Sequence, residues 1–506
     1  MKKSVSIIAG AAALAALLSA CSANTTPPNA NSTSSEYAMT ATETAVDGLE
    51  PCVDLPSLPT ALCGSIAVPL NRADPDSAMT TVSFALVQRA DTTESGLGTI
   101  VPNPGGPGSS TIDFSGALFT GALESLMDHR DVLLIDPRGV GRSDPITCTA
   151  LAGADSSFAA RDQQRTAIGA CGEELGDRAG NYGTAAVADD INDVRARLGI
   201  EKLDLLGISY GTFLMPVYAE RHPDTVRTIT LAGAYSVHDD PMNARQPEAF
   251  RRAVELTCEQ TGSCTADTVL ADLTALAEQL RTSPDTVDIT FEGTVHTVVI
   301  DEWQLASVAG RVFSSVANPE ALEALADAGA AARTGNLHPL RAFVSESLTE
   351  TAGYAVAGTS AVSIAQTWAT TCHDYIRPFD PEDAISDRRN DFDNALANMN
   401  DSDFAPFSAE AWITRADYDA AACLEWPADA EAEEPFAQGT ELPDVPVLVL
   451  NGDLDANTTS ESGREAAAQF PNAVFVEIAG AGHTPATTEE GLVTILTFIT
   501  TGKADS

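Results

Sequence analysis

The sequence predicts an α/β protein: a mostly parallel central sheet covered by helices, interrupted by a large, mainly helical insertion. Two observations carry this. Short apolar runs alternate with helical stretches up to Val226–Leu231 and again from Val445 onward, the pattern of strand–helix units. Between them, from about Ser236 to Gly439, the alternation stops and helical periodicity takes over. A chain of 506 residues has room for one core plus such an insertion.

The first 21 residues read as a targeting segment. Lys2 and Lys3 precede an apolar stretch, Ile7 to Leu18, too short to span a bilayer comfortably. Leu18-Ser19-Ala20-Cys21 then resembles the processing site of bacterial lipoproteins, which implies lipid chains on Cys21 and a place in the cell envelope outside the cytoplasm; the alternative is an ordinary secreted protein cut near Ala20. Residues 22–47, rich in Ser, Thr, Asn, Ala and Pro, read as a flexible tether.

Order is expected from residue 48. Ser65 to Asn71 and Met79 to Ala90 read as an antiparallel opening pair, followed by short strands at Gly98 to Val101 and Val132 to Ile135. Val187, Ile191, Val194 and Leu198 recur at helical spacing in Ala185 to Leu198. A strand at 203–206, a helix at Thr212 to Arg221 and a strand at Val226 to Leu231 complete the first part of the core, 48–235. The insertion, 236–439, carries expected helices at Pro247 to Cys258, Ala266 to Arg281, Glu302 to Val316 and Pro319 to Arg333. It also carries a hairpin at 287–300 turning at Glu292-Gly293. Strands Val445 to Leu450 and Val474 to Ile478 restore the core over 440–506. An insertion at that point is expected to cover the active site.

Three loop residues carry the chemistry. Ser209 lies in Gly207-Ile208-Ser209-Tyr210-Gly211, between a strand and a helix, where glycines allow the sharp turn that exposes a serine hydroxyl. A serine hydroxyl is a poor nucleophile unless a base and an orienting acid assist it. The acid is Asp455, in Asn451-Gly452-Asp453-Leu454-Asp455 after a strand, with Asp453 as its competitor. The base is His483, in Gly480-Ala481-Gly482-His483 after the last strand. His129, His222, His238, His296, His338 and His373 lack that setting. The chain order serine, aspartate, histidine is that of α/β-hydrolases. Backbone N–H groups of Tyr210 and of Gly106, in Asn103-Pro104-Gly105-Gly106-Pro107-Gly108, are expected to form the oxyanion hole. Asp136 and Arg138, in Asp136-Pro137-Arg138-Gly139-Val140-Gly141-Arg142-Ser143, read as braces of a nearby loop. No metal or organic cofactor is needed by this chemistry.

Composition narrows the partners. Lys+Arg is 28 against Asp+Glu 72, a net charge of −44, which repels phosphate backbones and excludes nucleic acid as a partner. Without Cys21, eight of the nine cysteines remain, an even number suited to an oxidising compartment. Eight cysteines allow 105 pairings. Proximity in sequence favours Cys52–Cys63, Cys148–Cys171, Cys258–Cys264 and Cys372–Cys423, and the spacings lack the short paired units of a zinc site.

The motifs at 103–108, 136–143, 207–211, 452–455 and Gly482-His483-Thr484, taken in order, resemble the secreted tripeptidyl aminopeptidases of bacteria, relatives of the proline iminopeptidases. The resemblance spans roughly residues 48–500 and includes Cys372 and Cys423-Leu424-Glu425-Trp426-Pro427. It implies release of short peptides from free N-termini through an acyl-enzyme on Ser209. Pro104 stands where proline iminopeptidases carry histidine, which favours the tripeptidyl branch. Ile208 and Ala456 also depart from the usual residues and leave substrate preference open. A substrate ammonium needs carboxylates from the insertion, for which Asp374 and Glu425 are candidates. The same triad also serves an esterase or lipase, or a processing endopeptidase.

Overall fold

The computed structural model describes residues 47–503 apart from 94, 120, 358–360, 429–431 and 437–440. The leader with Cys21 lies outside the described residues, as does all of the tether but Asp47. The core sheet is built from β1 (Glu50–Pro51), β2 (Ala61–Pro69), β3 (Met79–Val87), β4 (Thr99–Asn103), β5 (Asp131–Ile135), β6 (Leu203–Ile208) and β7 (Val226–Ala232). After a separate hairpin of β8 (Asp285–Phe291) and β9 (Thr294–Ile300), it is completed by β10 (Val447–Gly452) and β11 (Ala473–Ile478). The strand order is β1-β2-β3-β5-β4-β6-β7-β10-β11. The first three pairings are antiparallel and the other five parallel. The parallel strands are apolar runs because both faces are covered. Leu133 and Ile135 pack on one side with helices Thr184–Arg197 and Gly211–Arg221, while Val132 and Leu134 pack on the other with helices Thr111–Phe119 and Glu489–Thr501. This is the α/β-hydrolase arrangement, with β4, β6, β10 and β11 all ending on the same edge, where Ser209, Asp455 and His483 follow.

Between β7 and β10 the regular structure among the described residues is helices, joined by turns and loops, and the β8–β9 hairpin, whose Glu292 and Gly293 both take positive φ, as a two-residue turn of that hand requires. The expected helix from Glu302 to Val316 ends instead at Gly310, and a short 3-10 turn follows at Arg311–Phe313. Just beyond the helix, the carbonyls of Phe313 and Ser315 accept the N–H groups of Ala456 and His483, which ties this stretch to the core loops. The lid also has a second part. Ile146, Phe158, Ile168, Leu175 and Tyr182, between β5 and helix Thr184–Arg197, share one hydrophobic cluster with the helices of the long insertion. The disulfides join Cys52–Cys63, Cys148–Cys171, Cys258–Cys264 and Cys372–Cys423.

Candidate active site

The turn after β6 bends as tightly as its glycines allow. A Cβ on Gly207 would overlap the carbonyl of Gly211, and one on Gly211 would stand 2.7 Å from the carbonyl oxygen of Asn103. Ser209 itself takes φ +53, a left-handed conformation that a non-glycine residue adopts only under constraint. Here the constraint is a hydrogen bond from its N–H to the carbonyl of Ala232, at 3.0 Å, and the helix that starts at Gly211. The side chain is thereby presented to a cavity of about 340 Å³.

Asp455 is wholly buried and fully engaged. Its Oδ1 accepts the N–H groups of Asn457 and Thr458 at 2.8 and 3.0 Å, and its Oδ2 accepts the Thr458 hydroxyl at 2.7 Å. The same Oδ2 lies 2.9 Å from His483 Nδ1. That contact fixes the ring and directs Nε2 away from the acid. His483 Nε2 is enclosed and has no hydrogen-bond partner, so it is not bonded to Ser209 Oγ in this conformation. Serine–base hydrogen bonds are often long before substrate is bound. Asp453, the competing acid, instead accepts the N–H of Gly480 at 2.7 Å and braces the histidine loop. Thr458, which contacts both Asp455 and His483, the latter at 3.0 Å, had no signal in the sequence beyond its place three residues after the acid.

Gly106 and Tyr210 line the cavity with Ser209. A Cβ on Gly105 would stand 2.8 Å from both the Ser209 Cβ and the Ile208 carbonyl oxygen, so Gly105 seats the glycine-rich turn against the serine. Tyr210 lies at the N-terminus of helix Gly211–Arg221, where helical N–H groups lack partners and negative charge is favoured. Asp136 braces the glycine-rich turn from below. It accepts the Ser110 hydroxyl and the N–H groups of Ile112 and Arg142, and burial pushes its carboxyl above the ordinary range. Arg138 is buried in a two-bond fork with Asp190.

Three of the other six histidines keep to structural company: His222 meets Asp189, His296 stacks on Phe158 and His373 meets Asp374. Asp374 and Glu425 do not line the cavity. The Asp374 carboxylate is taken by the N–H and hydroxyl of Thr184, and Glu425 pairs with Arg389. The carboxylates that do line it are Asp239, Asp240, Asp417 and Asp419. Asp417 and Asp419 are matched by two-bond forks from Arg311 and Arg165. The Asp240 carboxylate accepts the N–H groups of Met242 and Ala244. Asp239 forms no ion pair among the described residues; its carboxylate has a 3.5 Å contact with the Ser462 hydroxyl and a hydrogen bond from the Asp240 N–H, and burial pushes it up to about 6.

Residues 98–282 match a family model described as alpha/beta hydrolase fold, and residues 409–506 match one described as TAP-like protein. The chain is 34% identical over 224 residues to serine protease Hip1 of Mycobacterium tuberculosis, covering 40% of this chain and 42% of that one. It is 30% identical over 198 residues to a tripeptidyl aminopeptidase of Streptomyces lividans, covering 36% and 37%. To the putative hydrolase YuaR of Escherichia coli it is 28% identical over 222 residues, covering 41% and 44%. The matched stretch thus spans about two fifths of the length of these curated relatives. The chain has the α/β-hydrolase fold, and places a serine, a histidine and an aspartate on it as serine hydrolases do.

Proposed function

We propose that this protein is a lipid-anchored serine aminopeptidase that works outside the cytoplasm and releases tripeptides from free N-termini. The observation that carries the amine preference is Asp239, a carboxylate without an ion pair in the cavity that holds Ser209. A peptide ammonium supplies the missing charge. The names of two relatives, a serine protease and a tripeptidyl aminopeptidase, agree with a peptide substrate. The anchor rests on the sequence around Cys21 alone.

The reaction we infer uses the same residues. Ser209 Oγ attacks the scissile carbonyl as His483 Nε2 takes its proton, and Asp455 stabilises the imidazolium through Nδ1. The N–H groups of Gly106 and Tyr210 receive the oxyanion; losing one such donor typically costs about 2.7–4 kcal/mol of transition-state stabilisation. His483 then passes the proton to the leaving amine, and water hydrolyses the acyl-enzyme by the same route.

The test compares the wild type with Ser209→Ala on a chromogenic tripeptide amide, with its amine free and then acetylated, beside a short acyl ester. Turnover confined to the free-amine peptide and lost in the variant supports the aminopeptidase. Equal turnover of the acetylated peptide moves the assignment to an endopeptidase, and hydrolysis of the ester alone moves it to an esterase. For the anchor, Cys21→Ala is expected to release the protein from the membrane fraction; a wild type that is already soluble rules the anchor out.

A further inference from the structure

The same cavity holds one cation. Arg377 follows helix Ile364–Asp374 and is the only Lys or Arg among the described residues lining the space around Ser209. Its guanidinium carries five N–H donors. One terminal nitrogen donates to the Thr371 carbonyl, and Nε is enclosed without a partner. Among the described residues no carboxylate lies within ion-pair distance of it, and Asp419 and Asp374 attract it only from farther off. Of the acids on the same wall, Asp419 is taken by Arg165 and Asp417 by Arg311, both reaching in from outside the cavity. Arg388 and Arg415 also lack an ion pair among the described residues, but their donors go to backbone carbonyls and, for Arg415, to Gln246; what sets Arg377 apart is its place on the cavity wall. Enclosing an unmatched guanidinium is costly, and burial here pushes its pKa down to about 10. A planar fork of donors fits a carboxylate better than any other common peptide group.

We propose that Arg377 binds a carboxylate of the substrate, so that preferred peptides carry a negative group as well as a free amine. This rests on the aminopeptidase reading and adds a specificity residue to it. Asp239 and Arg377 are then two poles of one cavity, each without an ion-pair partner until a peptide supplies both charges. The carboxylate has two sources: an acidic side chain in the released peptide, or the C-terminus of a short substrate.

The experiment uses full-length protein and tripeptide amides that are all alanine or carry Glu or Gln at each position in turn. Tetra-alanine with a free or an amidated C-terminus forms the second arm. The wild type is expected to favour Glu over Gln at one position, or the free acid over the amide, by roughly ten- to hundredfold in kcat/KM, the range of a charged hydrogen bond. Which arm shows the effect identifies the source. Arg377→Met is expected to bring that ratio close to one, and Arg377→Lys to restore part of it. A role limited to holding the Thr371 carbonyl would lower all substrates alike and leave the ratio untouched, and that result overturns the proposal. So does a wild type indifferent to charge in both arms. If the all-alanine amide is not cleaved, or is cleaved equally when acetylated, the aminopeptidase reading fails. Calorimetric binding of Glu and Gln tripeptides to Ser209→Ala then decides Arg377 on its own, equal affinities overturning it.

Discussion

Replacing Asp239 with asparagine should weaken substrate recognition and strengthen the fold at once. The carboxyl has an ordinary value of 3.8 and is raised to about 6, chiefly by burial, against the lowering pull of the Asp240 N–H and of Arg245, with smaller raising contributions from the Asp240 and Glu465 charges. Between those values the native state holds a proton that the unfolded chain has released. The native state therefore binds more protons, and stability falls as pH climbs through the window from 3.8 to 6. At pH 7 the ionised carboxylate costs the fold on the order of 3 kcal/mol. Asp239→Asn removes that cost, so its denaturation midpoint should exceed the wild type's at pH 7 and converge with it below about pH 4. For recognition, a group titrating near 6 is about nine-tenths ionised at pH 7 and about one-tenth at pH 5. The α-amine, with an ordinary pKa of about 7.7–8.0, stays mostly protonated across this range. The ratio of free-amine to acetylated peptide turnover cancels the titration of His483, which both substrates share. That ratio should fall roughly ninefold from pH 7 to pH 5 in the wild type, and lie flat and low in the variant. A ratio independent of pH in the wild type, or an Asp239→Asn protein less stable at pH 7, would refute the reasoning.

Three further outcomes follow from contacts already described. Thr458→Val removes the hydroxyl that touches both Asp455 and His483 and should lower kcat roughly tenfold with little change in KM; an unchanged kcat rejects its positioning role. Gly211→Ala brings a methyl within 2.7 Å of the Asn103 carbonyl oxygen and should cost about 2–4 kcal/mol, read from urea melts, with loss of activity; an unchanged midpoint rejects it. Reduction opens loops of 23 and 51 residues at Cys148–Cys171 and Cys372–Cys423, worth about 3–4 kcal/mol each in the chain-entropy account. Heat inactivation should quicken in strong reductant, and equal rates with and without it count against that contribution.

The sheet was legible because its strands are short apolar runs ending in glycine-marked turns, and both signals are local. The positions of Ser209, Asp455 and His483 were legible for the same reason: each follows a strand, and chain order did the rest. The lid was legible only in part. Residues 146–182 look in sequence like one more strand–helix connection, and nothing local announces that Phe158 and Tyr182 pack with helices more than a hundred residues away. The amine-binding candidate was hidden for a different reason. With 72 acidic residues, the informative property is which carboxylate lacks a cation, and that depends on where Arg165 and Arg311 reach. Proximity to the Cys372–Cys423 bridge singled out Asp374 and Glu425, yet one is spent on Thr184 and the other on Arg389.

The backbone bonds from Ala456 to Phe313 and from His483 to Ser315 tie the loops of the acid and the base to the lid. Leu454 and Ala456, on either side of Asp455, pack in the lid's own hydrophobic cluster. The lid is therefore not an interchangeable module. A chimera that kept this core and borrowed another enzyme's cover would strand two catalytic loops without their backbone acceptors. On this scaffold, a change of substrate by altering side chains that face the cavity leaves the 313–315 strap in place, whereas exchange of the lid does not. Engineering of specificity faces the same restriction.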